Sequence, residues 1–313
     1  MTAAIPFVHR LTPDDEQLWL AAFRAAMPEV AVVPLRQLDA ADCAAAPVAI
    51  VANPDPAELA ALPALRWVQS LWAGVERLVR ELPPQLGIVR LVDPQLAESM
   101  AEAVLAWTLY LHRDMPRYAR QQAARQWEQH DLPLPSERRV GVLGLGHMGA
   151  AAAQRLFANG FPVTGWSSTP KAVPGIDCRT GGAGLDSLLA QSDIVVALLP
   201  LTPATHGLLD AARLARMKPG ASLINFARGA IVNSAALLAR LDARALDHAV
   251  LDVFTAEPLP PDDPFWRHPH VTVLPHISAP TNRGTAAAIV ERNLRTWRDS
   301  GAMPATVDRA RGY

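Results

Sequence analysis

The residues that could do chemistry in this chain are a set of regularly spaced glycines, an arginine, a carboxylate and a histidine. Gly144, Gly146 and Gly149 stand in a G-x-G-x-x-G spacing, after the apolar run that begins at Val140 and before an alanine-rich stretch closed by Gly160. The pattern predicts a strand, a tight turn and a helix. Gly144 would let the backbone turn sharply, Gly146 would let a pyrophosphate approach, and Gly149 would let the helix pack on the strand. The anion would meet free N–H groups at the positive end of the helix dipole. Further on, Arg228 in NFARG, Glu257 in DVFTAEP and His276 in LPHISA each stand just past an apolar, strand-like run. Open α/β sheets gather ligands at the carboxyl ends of their strands, so such groups facing one crevice could bind an anion and pass a proton. Taken singly, each also has a plainer reading: a surface ion pair, a turn before Pro258, a satisfied loop histidine.

The elements that must position these groups alternate along the chain. Ile5–His9, Val30–Pro34, Val48–Val51, Leu65–Leu71 and Val89–Val92 read as strands, with a helix near Pro13–Met27. Ser99 and Glu102 form an S-x-x-E capping box ahead of the apolar stretch Val104–Leu111, which predicts a helix start and a crossing into a second domain. Its continuation, Pro116–His130, is polar with Tyr118 and Trp127, and reads either as an arm meeting a second subunit or as a solvated helix. After the glycine motif come strands at Pro162–Trp166, Ile194–Leu199, Ser222–Phe226, Ala249–Val253 and Val271–Leu274. Helices are expected at Asp186–Gln191, Asp210–Met217 and Ser234–Ala243. Uniformly apolar strands separated by helices indicate a parallel sheet buried on both faces. The last helix, about Arg283–Asp299, carries Ala287, Val290, Leu294 and Trp297 on one stripe and is expected to pack back on the first domain.

Length and composition agree with two globular domains: 313 residues, 50% hydrophobic and 19% charged. A net charge of −1 gives no electrostatic reason to expect nucleic acid or an anionic membrane as partner. Cys43 and Cys178 lie far apart without a C-x-x-C, which fits a reduced, cytoplasmic compartment, although they could pair. No run reaches the length of about 18 apolar residues that spans a bilayer. His268 and His270 ahead of His276 could suggest a metal, but Pro269 turns the chain and no carboxylate or cysteine completes a ligand set, so no metal is expected.

Together, Gly144-x-Gly146-x-x-Gly149, the Asn225–Gly229 stretch, Asp252-Val253-Phe254 running on to Glu257-Pro258, and the Pro275–Ala279 stretch resemble, in order, the signature segments of the D-2-hydroxyacid dehydrogenase family. Leu71–Val75 resembles the family's substrate loop. The branch most similar is that of the glyoxylate/hydroxypyruvate reductases. The resemblance implies an α/β fold of two Rossmann-like domains, one flavodoxin-like and one dinucleotide-binding, with parallel sheets and an active-site cleft between them. Residues 1–99 and 284–313 would bind substrate, and residues 100–283 would bind NAD(P).

Reducing a 2-keto acid needs a hydride, a proton for the forming alkoxide and a cation for the carboxylate. His276 would be the general acid with Glu257 beside it, and Arg228 would hold the carboxylate and polarise the keto oxygen through its planar fork. The resemblance further implies that backbone N–H groups of Ala73, Gly74 and Val75 grip the same carboxylate, with Trp72 shaping the pocket. Asp252 would meet the nicotinamide carboxamide, and His147, Met148, Leu199 and Pro200 would border the cofactor. At the end of the second strand stand Trp166, Ser167, Ser168, Thr169, Pro170 and Lys171, without the carboxylate that would hold the ribose 2′-OH of NAD. Hydroxyls and a lysine suit a 2′-phosphate, so NADP(H) is expected to be preferred, with NAD(H) possible as a second cofactor. The expected partners are a small 2-keto or 2-hydroxy acid and a second copy of the chain in a homodimer. The alternatives are the same fold acting on a bulkier 2-hydroxy acid or a phosphoglycerate, or a non-catalytic nucleotide-sensing corepressor.

Overall fold

A computed structural model describes residues 4–312. In chain order the first part runs β1 (Ile5–His9), α1 (Pro13–Ala26), β2 (Val32–Pro34), α2 (Ala40–Ala45), β3 (Val48–Ala52), β4 (Trp67–Ser70), α3 (Glu76–Glu81) and β5 (Gly87–Val89). The middle part runs α4 (Pro94–His112), α5 (Met115–Ala123), β6 (Val140–Leu143), α6 (His147–Ala158), β7 (Val163–Trp166), β8 (Asp177–Arg179), α7 (Gly181–Gln191) and β9 (Ile194–Ala197). It continues through α8 (Ala211–Arg216), β10 (Ala221–Asn225), α9 (Ser234–Asp242), β11 (Leu246–Leu251) and β12 (Val271–Val273), and the long helix α10 (Arg283–Ser300) follows. Two compact units result: residues up to Gln95 together with those from Thr281 on, and Leu96–Pro280 between them.

In the first unit a five-stranded sheet has the order β2-β1-β3-β4-β5, and its strands pair parallel. β3 is buried along its whole length, which is why its VAIVA sequence is apolar without alternation. On one face α1 and α10 pack together: Trp19 and Phe23 meet Ala286, Ala287, Val290 and Leu294, as the stripe on the last helix predicts. Both helices have side-chain caps that occupy otherwise orphaned N–H groups. Thr12 accepts from Asp15 N at 3.2 Å, and Asn282 accepts from Thr285 N at 3.1 Å.

The second unit holds a seven-stranded parallel sheet in the order β12-β11-β10-β9-β6-β7-β8. The order reverses at β6, so the turn that follows β6 lies at the switch point where such sheets take ligands. Among the described residues no helix is long and apolar enough to cross a membrane. Cys43 and Cys178 are both free.

The sequence places some boundaries wrongly. Ser99 and Glu102 do not cap a helix start. They lie inside α4, which begins at Pro94, because Asp93 accepts from Gln95 N at 2.9 Å and proline is well suited to a first helical turn. The division between units accordingly falls at Gln95, earlier than the capping box suggested. The helix expected over Pro116–His130 stops at Ala123, and the chain to Leu134 is irregular. β8 is absent from the sequence reading, since an edge strand of Asp177, Cys178 and Arg179 has no apolar run, and α7 starts at Gly181 rather than Asp186.

Candidate active site

The glycine turn is built as its spacing predicts. Gly144 has φ +100°, a backbone conformation that a side chain would strain, and its N–H donates to Trp166 O at 2.8 Å. A Cβ on Gly149 would sit 1.7 Å from the Gly144 carbonyl oxygen, so the first turn of α6 packs directly on the turn that precedes it. Gly146 is the N-cap of α6, and a Cβ there would meet nothing within 4 Å. The space in front of the helix N-terminus is therefore open, lined by backbone N–H groups, and fits a pyrophosphate. Exposed His147 and half-buried Met148 form the first helical residues.

At the end of β7 the residues expected to meet a cofactor differ in what they can offer. Trp166 is buried and its indole N–H donates to Gly181 O at 2.9 Å, so its side chain belongs to the core. Ser167 is buried too, and its hydroxyl donates to Thr169 O at 2.6 Å. Ser168, Thr169 and Lys171 are exposed. Leu199 is a core residue, while the carbonyl of Pro200 accepts from Thr205 Oγ1 at 2.6 Å. Thr205 also accepts from Thr202 N at 2.8 Å, so it shapes the turn after β9; only a T-x-x-T spacing hints at this in the sequence.

Arg228, Glu257 and His276 follow β10, β11 and β12, three adjacent strands, at their carboxyl ends. The loop after β10 folds on Asn225, which accepts from Ala227 N at 3.2 Å and donates to Arg228 O at 3.2 Å. The Arg228 guanidinium donates to Ala227 O at 2.6 Å. Gly229 allows the next loop to close in: a Cβ there would lie 2.1 Å from the carbonyl carbon of Phe254. Glu257 binds both ways, accepting from Phe254 N at 2.8 Å through Oε1 and pairing with His276 Nδ1 at 2.8 Å through Oε2. With Nδ1–H committed to that carboxylate, Nε2 is the nitrogen presented outward, and the imidazole is half exposed at 51%.

His276 itself sits at φ +56°, a left-handed conformation uncommon for a residue with a Cβ. Asp252 holds it there. Its backbone carbonyl accepts from His276 N at 3.0 Å, and its buried carboxylate accepts from Ile277 N at 2.7 Å and Ser278 N at 2.9 Å. The sequence reading gave Asp252 a place beside the cofactor and missed this anchoring, for which the only signal is its position at the end of an apolar strand.

In the other unit, Ser70 Oγ accepts from Trp72 N at 3.0 Å, Leu91 N donates to Trp72 O at 3.0 Å, and the Trp72 ring packs edge-on against Trp19 at 6.2 Å. The N–H groups of Ala73, Gly74 and Val75 have no backbone acceptor among the described residues. The loop thus presents donors.

His268 and His270 are engaged otherwise. His268 pairs with Asp242 at 3.3 Å, and His270 contacts Arg244 and the Asp247 carbonyl.

A family model described as "D-isomer specific 2-hydroxyacid dehydrogenase, NAD binding domain" matches residues 105–278. The chain belongs to the D-isomer specific 2-hydroxyacid dehydrogenase family and is an oxidoreductase. A solved dehydrogenase of this family from Xanthobacter autotrophicus Py2, in complex with NADPH and MES, is 39% identical over 100% of both chains, with a TM-score of 0.92. An NADPH-dependent glyoxylate/hydroxypyruvate reductase from Sinorhizobium meliloti, in complex with NADP and sulfate, is 31% identical over 100% of both chains, with a TM-score of 0.91. A probable 2-hydroxyacid dehydrogenase from Rhizobium etli CFN 42, in complex with NADP, HEPES and L(+)-tartaric acid, is 29% identical over 100% of both, with a TM-score of 0.90. The family's two-sheet α/β architecture is the one described above.

Proposed function

We propose that this dehydrogenase reduces small 2-keto acids, glyoxylate and hydroxypyruvate, to 2-hydroxy acids with NADPH as the preferred cofactor. The observation that carries the reading is the His276–Glu257 pair at 2.8 Å, set at the carboxyl edge of the sheet that also carries the open glycine turn. When bound, a nicotinamide cofactor supplies the hydride to the keto carbon. His276 donates the proton from Nε2 to the forming alkoxide, while Glu257 holds Nδ1 and balances the ring's charge. Arg228 binds the substrate carboxylate with a fork that lysine lacks. The loop amides of Ala73, Gly74 and Val75 take the same carboxylate. Asp252 positions His276 and borders the carboxamide.

NADPH is favoured because exposed Ser168, Thr169 and Lys171 can donate to a 2′-phosphate and no carboxylate in that stretch repels it. The solved relatives from X. autotrophicus, S. meliloti and R. etli carry NADPH or NADP, which supports the same choice. The enzyme acts in the cytoplasm as a homodimer, whose interface includes the irregular segment after α5, where Trp127 is 97% exposed. A non-catalytic sensor would need no matched histidine and glutamate.

The test is a panel of glyoxylate, hydroxypyruvate, pyruvate and a phosphorylated 3-carbon acid with NADPH and NADH, followed by loss of cofactor absorbance. Reduction of glyoxylate and hydroxypyruvate with NADPH supports the reading. Activity confined to the phosphorylated acid, or to none, overturns it.

A further inference from the structure

Arg90 is half-buried and stands just past β5. Among the described residues its guanidinium makes no hydrogen bond or ion pair. The other half-buried arginines of this unit are matched. Arg77 pairs with Glu81 at 2.7 Å and Arg283 with Asp15 at 2.6 Å. Arg309 donates to the carbonyls of Val79, Leu82, Pro83 and Leu86 at 2.8 to 3.1 Å. A guanidinium has five N–H donors and cannot shed its charge, so one half-buried on the protein surface, with its nitrogens reachable from solvent and unmatched within its own chain, is free to take an acceptor from outside.

The sheet fixes where that acceptor would lie. Val89 and Leu91 pack with Trp19 and α10 on one face, whereas Ile88 packs with Val75 and Leu78 on the other. Side chains alternate along an extended chain, so Arg90 stands on the Ile88 face, the side on which the Trp72–Val75 loop enters α3. The pairing of Gln69 with Val89 puts Ser70, the residue that ties down that loop, next to Arg90 across the ladder. The hydrogen bond from Leu91 N to Trp72 O closes the two segments on each other. The nearest acid in sequence, Asp93, is occupied by Gln95 N at 2.9 Å and Thr285 Oγ1 at 2.6 Å.

We propose that Arg90 determines specificity by donating to an oxygen on C3 of the substrate. The inference rests on the 2-keto acid reading above. There the substrate carboxylate is taken by the loop amides, beside which Arg90 stands. In a three-carbon 2-keto acid the remaining place for a polar group is C3. Arg90 therefore selects substrates with a hydroxyl or carboxylate at C3 over those with a methyl there. A site built to hydrogen-bond such a group rejects the analogue that lacks it, because the donor is left unpaired.

The experiment compares wild type, Arg90→Met and Arg90→Lys on hydroxypyruvate, pyruvate and glyoxylate, with thermal unfolding to show that the variants fold. In Arg90→Met, kcat/KM for hydroxypyruvate should fall by about ten- to a hundredfold, the value of one hydrogen bond to a charged group. Values for pyruvate and glyoxylate should change little, and Arg90→Lys should recover part of the loss. An equal fall for all three would place Arg90 on the common carboxylate and overturn the assignment, as would no change. Should wild type reduce none of them, the 2-keto acid reading fails separately. Arg90 is then judged by calorimetric binding of tartronate and lactate with NADP+ present. Weaker tartronate binding alone in Arg90→Met supports it; equal effects, or no binding of either by wild type, overturn it.

Discussion

At the scale of single residues, the pair most exposed to test is His276 and Glu257. Replacing His276 with Asn keeps the size and removes the group proposed to supply the proton. General acid catalysis is worth about 10²–10⁴-fold, so turnover should fall by that much with NADPH affinity near wild type. Loss of NADPH binding with unchanged turnover would show that His276 serves the cofactor instead. Cofactor choice is tested at Ser168, which is exposed at the end of β7. In Ser168→Asp a carboxylate would favour the ribose hydroxyls of NADH and repel a 2′-phosphate, so the kcat/KM ratio for NADPH over NADH should invert. A ratio that stays put would place the 2′-phosphate elsewhere. Of the hydroxyls counted in the sequence, Ser167 turns inward to Thr169 O. The sequence shows that a hydroxyl is present, but the direction in which it points is set by the local turn.

At the scale of elements, the strands and the glycine turn were legible because a buried parallel sheet demands continuous apolar runs. The helix starts were less so. Ser99 and Glu102 have a capping pattern, yet Asp93 and Pro94 begin the helix a turn and a half earlier, since a cap works only where the helix actually starts. β8 escaped notice because an edge strand need not be apolar. The loop after β12 shows how an element holds chemistry in place. Asp252 offers two acceptors to the N–H groups of Ile277 and Ser278. Asp252→Asn would set a donor against one of them, at a cost of about 1–3 kcal/mol. Turnover at saturating NADPH should drop well before the fold is lost. A variant with weakened NADPH binding and unchanged turnover would assign Asp252 to the cofactor alone. Gly149→Ala tests the turn: with the Gly144 carbonyl 1.7 Å from the new Cβ, the helix must shift, and overpacking of this kind costs about 1–3 kcal/mol. An unchanged unfolding midpoint and NADPH affinity would mean the turn can yield.

At the scale of the whole molecule, stability should fall on mild acidification. Burial pushes His248 down to about 3, and His9, His112 and His270 are also lowered, mainly by burial. A histidine whose folded value is depressed binds its proton more readily when unfolded. Its contribution is full above about pH 6.5 and is lost as pH falls from there towards the folded value. By pH 5, His248 alone should withdraw about 2 kcal/mol. The measurement is the urea midpoint from pH 7.5 to 5. In His248→Gln, where a neutral amide faces Thr272 in place of the ring nitrogen now 2.9 Å from its hydroxyl, the slope should flatten. An identical slope would mean that other groups carry it. Nothing in composition or spacing announces these lowered histidines, because burial of a polar ring depends on which elements become neighbours.

Gly229 carries a consequence for how this site can change. With no side chain at that position, the backbone after β10 lies against Phe254 and Thr255, and Phe254 N in turn grips Glu257. Arg228 and Glu257 are therefore geared together. A displacement of one loop presses directly on the backbone of the other, and so on the N–H that holds the Glu257 carboxylate. Moving the arginine's loop would disturb the backbone that holds Glu257, and with it the pairing of Glu257 with His276. On the proposed roles of these residues, new specificity reached by substitution has to be built on parts outside that gear train, with Arg228, Glu257 and His276 left as one block.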